Sequence, residues 1–90
     1  MAKAIVTVRL MMESPETDPS KVEEKAKEAI ESLKGEFGRS SIEPIAFGIK
    51  ALDIIFIIDE MLGTDEFENK LNTLDGVSSA EIRDFRRAIG

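Results

Sequence analysis

The side chains able to do chemistry are mostly carboxylates and arginines. Three adjacent acidic pairs, Glu23/Glu24, Asp59/Glu60 and Asp65/Glu66, could share a proton or hold a divalent ion. Solvated helix faces and a helix N-terminus display the same pattern, and that plainer reading fits better. Arg83, Arg86 and Arg87 form a basic cluster near the C-terminus. Gly35-Glu36-Phe37-Gly38 is a two-glycine loop that could approach a phosphate. It lacks the G-x-x-x-x-G-K-[ST] pattern of a nucleotide hydrolase, and no G-x-G-x-x-G follows a strand. The chain has no histidine and no cysteine. That removes the commonest general base, the nucleophilic triads and the thiolate metal sites.

The most informative stretch is apolar. Glu43-Pro44-Ile45-Ala46-Phe47-Gly48-Ile49-Lys50-Ala51-Leu52 sets proline and glycine around a large aromatic, between two strand-like runs. Both are badly placed inside a central strand, so a bend is expected at Pro44 to Gly48. The bend presents Phe47 as a probe for another surface, although an isolated aromatic in such a place commonly folds back into its own core. Lys50 follows the bend and could steer it toward an acidic partner or simply solubilise the strand.

Bulk properties narrow the classes. Ninety residues make one small domain over 1–90, with little interior to spare for a deep cavity or a large cofactor. A net charge of -6 argues against direct nucleic-acid binding, which needs a basic face. It suits a partner that is basic or holds a metal. The lack of cysteine fits a reducing cytoplasm. No run is long and apolar enough for a signal peptide or a membrane span.

The elements that must position these residues read as follows. Lys3 to Met12 alternates with period two and is a strand. Asp18-Pro19 starts a helix, with Asp as cap and Pro at the first position. Val22, Ala26, Ala29, Ile30 and Leu33 make its buried face, Glu23 and Lys27 a supporting pair, and Gly35 its end. Gly38 to Ile45 is a second strand. Lys50 to Asp59 is a third, apolar on both faces as a central strand should be. Thr64 caps a second helix whose buried stripe is Phe67, Leu71 and Leu74, closed by Asp75-Gly76. Val77 to Ile89 is the last strand. The order βαββαβ predicts an α+β ferredoxin-like sandwich: a four-stranded antiparallel sheet with two helices on one face. Right-handed crossovers place the first and third strands centrally. Ile5, Met11, Ile55 and Ile57 then share the face away from the helices, as partner contact or as ordinary surface. Thr7, Arg9, Asp53 and Asp59 interrupt them.

Several families use this topology. Acylphosphatases resemble the chain in topology only, because the acidic loop Glu13 to Asp18 would repel a phosphate. A closer resemblance lies in Pro44 to Leu52, Ile54, the acidic strand end Asp59-Glu60, a Glu- and Leu-rich helix, Gly76-Val77-Ser78-Ser79-Ala80-Glu81-Ile82 and the basic terminus. Together these resemble the translation elongation factor 1-beta family over essentially the whole chain, above all its stand-alone archaeal form.

The resemblance implies a guanine-nucleotide exchange factor, not an enzyme. It would act on the GTPase elongation factor 1-alpha, with no cofactor, no metal of its own and no membrane, as a cytoplasmic monomer. It matches Phe47, framed by Pro44 and Gly48, to the exposed phenylalanine that packs on the GTPase. It matches Arg87, counted from Val77-Ser78-Ser79, to the basic residue that reaches the partner's Mg²⁺ and phosphate region. That residue is lysine in the eukaryotic proteins. Arg86 is the neighbouring possibility, since one step along a strand changes the face. The competing reading from another class is a ferredoxin-like module that binds a small molecule between paired sheets.

Overall fold

Alternation fixes the first strand. Ala4, Val6, Val8, Leu10 and Met12 are buried on one side of β1 (Lys3–Met12), and the intervening side chains face the other way. The computed structural model describes residues 2–88. Its elements continue as α1 (Pro19–Ser32), β2 (Glu36–Ala46), β3 (Ile49–Asp59), α2 (Asp65–Asn72) and β4 (Val77–Ala88). The sheet is antiparallel with order β2-β3-β1-β4, so β3 and β1 are central as the crossover rule requires. Both helices pack on the face carrying Leu52, Ile54, Phe56 and Ile58, and contribute Val22, Ala26, Ala29, Ile30, Phe67 and Leu71 to one core. The rings of Phe56 and Phe67 lie 5.1 Å apart in a tilted contact that adds to their area burial. The fold is the expected ferredoxin-like α+β sandwich.

The helix starts and stops differ in detail. Asp18 caps α1 as predicted, its carboxylate accepting the Ser20 N–H at 2.9 Å, with Pro19 following. The helix does not run to Gly35. Lys34 takes the left-handed conformation (φ 69°). Its N–H donates to Glu31 O at 3.0 Å, and the Gly35 N–H donates to Ile30 O at 2.8 Å. This is a Schellman closure with a lysine where glycine is usual. The expected Glu23–Lys27 pair is replaced by the Lys27 ammonium over the Phe37 ring at 5.8 Å. Thr64 occupies the cap of α2 but makes no capping bond, because its backbone (φ -84°, ψ -16°) is already helical. Asp65, Glu66 and Glu68 in the first turn complement the helix dipole. α2 ends at Asn72, before Asp75-Gly76, and Leu74 packs on the core from beyond the helix.

The strands are longer than expected where the sequence carries breakers. β2 begins at Glu36 because Gly38 sits in a bulge between Phe37 and Arg39. A Cβ there would lie 2.7 Å from the Ile55 carbonyl oxygen, so only glycine permits the approach. At its other end β2 runs through Pro44 as expected, which an edge strand tolerates, and extends one residue further, to Ala46, while a second shift leaves Ile45 without a partner. In β4 the register slips between Ile82 and Asp84, so Arg83 is unpaired with β1. Ile89, the expected end of β4, lies outside the described residues.

Candidate functional site

The expected bend is a two-residue hairpin turn. Ala46 and Ile49 close it, and Phe47 (φ 54°) and Gly48 (φ 78°) form it. Positive φ at both positions matches a type I′ turn, whose usual occupants are Asn and Gly. A phenylalanine held there costs on the order of 1–3 kcal/mol. The strain brings no burial in return, since Phe47 is 95% exposed. The ring therefore does not fold back into its own core.

The approach to the turn is equally open. Every residue from Ser41 to Gly48 is exposed, Ile42 and Ile45 included. Pro44 and Lys50 are register partners just below the tip. Behind Gly48, a Cβ would meet the Pro15 ring at 3.3 Å, so the tip rests against the loop after β1. Phe47, Pro44, Gly48 and Lys50 thus share one end of the molecule.

Arg86 and Arg87 lie at the other end. Arg87 pairs in register with Ala4 and Arg86 with Ile5, so the two arginines project from opposite faces of the sheet. Arg87 shares the helix-bearing face. Its Nε is 2.8 Å from Glu60 Oε2, a charge contact without hydrogen-bond alignment, since that buried oxygen has no hydrogen-bond partner. Arg86 on the open face pairs with Asp84 at 2.8 Å. Two exposed apolar groups flank Arg87: Phe85 on the same strand face, and Met61 next to Glu60, 85% exposed. Neither stands out in the sequence. Phe85 falls out of the Ala80/Ile82 alternation, and the register slip at Arg83 is what returns it to the inner face. With the order β2-β3-β1-β4, Phe47 and Arg87 occupy diagonal corners, separated by most of the length of β3, roughly 30 Å.

The open face carries the expected apolar group, but a charged cluster divides it. The Arg9 guanidinium donates to Asp53 through Nε (2.8 Å to Oδ1) and Nη2 (2.9 Å to Oδ2), and Nη2 also reaches Glu43. The hydrogen bond to Asp53 holds Arg9 above its ordinary pKa, against a smaller effect of burial.

Of the acidic pairs, Glu23 and Glu24 lie on α1 and the other two stand at element ends. Asp59 accepts the Met61 N–H at 2.9 Å, Glu60 faces Arg87, and Asp65 and Glu66 open α2. Among the described residues no three His, Cys, Asp or Glu side chains gather as a metal site, and no helix is long and apolar enough to cross a membrane. What the arrangement offers is contact: an apolar ring at one corner and a guanidinium at the other.

Known proteins resemble the chain over most of its length. A model of the EF-1 guanine nucleotide exchange domain matches residues 5–88. Elongation factor 1-beta of Methanobrevibacter smithii is 39% identical over 88 residues, covering 97% of this chain and 98% of that one. The same factor from Methanoregula boonei is 39% identical over 83 residues, covering 91% and 93%. That of Nanoarchaeum equitans is 38% identical over 76 residues, covering 83% and 93%. Among solved structures, the C-terminal domain of the MgtC protein from Mycobacterium tuberculosis superposes with a TM-score of 0.63 at 11% identity, over 98% of this chain and 88% of that one, which shows a shared fold alone. With the family model spanning nearly the whole chain and relatives matched almost end to end, the chain belongs to the elongation factor 1-beta family of guanine-nucleotide exchange domains, exchange factors rather than enzymes.

Proposed function

We propose that residues 1–90 act as a single exchange domain on the GTPase elongation factor 1-alpha, as a cytoplasmic monomer, with Phe47 packing on the GTPase and Arg87 reaching its Mg²⁺ and phosphate region. The observation that carries the reading is the Phe47 ring, fully presented on a strained turn that stability alone would give to a small polar residue. Pro44, Gly48 and Lys50 frame that contact. Arg86 is the other cation at the β4 end, on the opposite face of the sheet from Arg87.

A GTPase holds GDP largely through its phosphate loop and a bridging Mg²⁺. A guanidinium at the metal position competes with the ion and cannot reproduce its coordination. Exchange factor and nucleotide then weaken each other's binding by the same factor. A thousandfold faster release of GDP needs a barrier lower by about 4 kcal/mol. The diagonal placement of Phe47 and Arg87 means that one partner must be touched at two separate places. The ring then anchors the complex while the guanidinium disturbs the nucleotide. Arg87 must leave or share its contact with Glu60, a charge contact made without hydrogen-bond alignment.

The test is release of labelled GDP from elongation factor 1-alpha with and without the chain. Faster release supports the reading. Unchanged release, or a stable dimer that binds a small molecule between its sheets, overturns it.

A further inference from the structure

The ribbon that presents Phe47 has few means of staying in place. It forms the free edge of the sheet, and its residues 41–48 are exposed throughout. Among the described residues, the side-chain hydrogen bond that reaches this stretch comes from Arg9, two strands away. Arg9 and Asp53 are register partners, so the backbone ladder fixes the inner pair. From that base Nη2 extends to Glu43, four positions before Phe47. Arg9 and Asp53 are about one-fifth exposed, while Glu43 is half exposed at 54%. A planar guanidinium can grip one carboxylate with two donors and still reach a second, which a lysine ammonium does poorly. On the other side of the hairpin, Pro15 backs Gly48.

We infer that Arg9 is a positioning residue for exchange: by joining Glu43 of β2 to Asp53 of β3 it holds the hairpin in the pose in which Phe47 can dock. The inference rests on the reading of Phe47 as the partner contact. An exposed ion pair adds little to global stability. Its effect here is on population, because binding weakens in proportion to the fraction of molecules whose hairpin is in the docking pose.

Two measurements test it, on Glu43→Gln, Arg9→Lys, Phe47→Ala and the double variant E43Q/F47A. The first is amide hydrogen exchange of the free chain. E43Q and R9K should lose protection in 41–48 and keep it in β1. The second is GDP release from elongation factor 1-alpha as the chain is titrated. E43Q and R9K should raise the half-saturating concentration about fivefold, with the maximal rate retained. In the F47A background, E43Q should add nothing, because both changes remove the same contact. Unchanged protection in 41–48 overturns the inference, as does a full E43Q effect that persists without the ring. If F47A weakens docking and E43Q does not, only the positioning role falls. If F47A itself changes nothing, the contact reading of Phe47 falls and takes the positioning role with it. If the wild-type chain does not speed GDP release at all, the exchange reading is the one that fails.

Discussion

At the hairpin end the exposed group is an aromatic ring on a strained backbone, carried by an edge ribbon with little packing beneath it. At the β4 end the exposed group is a cation on an ordinary strand paired with central β1, and its charge already touches a carboxylate. The first end gives up stability to fix a shape. The second keeps a charge close at hand and only loosely held. A docking contact needs the former, since a turn backbone already in its bound conformation loses less entropy on binding. A group that must enter another protein's metal site needs the latter.

If the two ends divide the labour in this way, removing both should have the largest effect. F47A/R87A is expected to approach the spontaneous rate of GDP release, with its losses adding, because the sites are far apart and share no neighbours. Strong non-additivity would mean that the ends act as one site. Arg87→Ala alone should lower the maximal exchange rate on the order of a hundredfold, with little change in half-saturation. Arg86→Ala should do far less, and the reverse order would exchange their roles. Phe47→Ala should raise the half-saturating concentration about thirtyfold, the size of a typical aromatic anchor, and leave the maximal rate nearly intact. Gly38→Ala should cost about 1.5 kcal/mol in a denaturant titration, because its Cβ meets a backbone oxygen. Smallest is Phe47→Asn, which should stabilise the free chain by about 1 kcal/mol while weakening docking as alanine does. A variant less stable than the parent would show that the turn is not strained.

Strand alternation, the Asp18-Pro19 helix start and the central pair of strands are legible because each depends on local side-chain chemistry or on a chirality rule. Features decided by distant backbone are not. Lys34 is a local exception: the closure of α1 imposes the left-handed conformation one residue before the glycine that would adopt it readily. Pro44 reads as a break, yet an edge strand absorbs it. Thr64 reads as a cap, but a helical backbone turns its hydroxyl away. The diagonal placement of Phe47 and Arg87 is implicit in the strand directions: the β2–β3 turn falls where β1 ends, and β4 finishes where β1 begins. The reach of Arg9 to Glu43 depends on the register of β2 against β3, which the irregularity at Ile45 shifts by one residue, and Ile45 itself carries no bulge signal.

The side chains of α2 have one more consequence. Asn72 receives the Ala80 N–H at 2.9 Å and donates to the Ala80 carbonyl at 3.2 Å, and the Ile82 N–H reaches Glu68 at 3.2 Å. Those are the ladder groups that a foreign strand would seek on the outer rim of β4. A helix amide thus stands in for a missing fifth strand. The rim is capped from 80 to 82, and a chain that must remain free to meet another molecule is shielded there from zippering onto copies of itself.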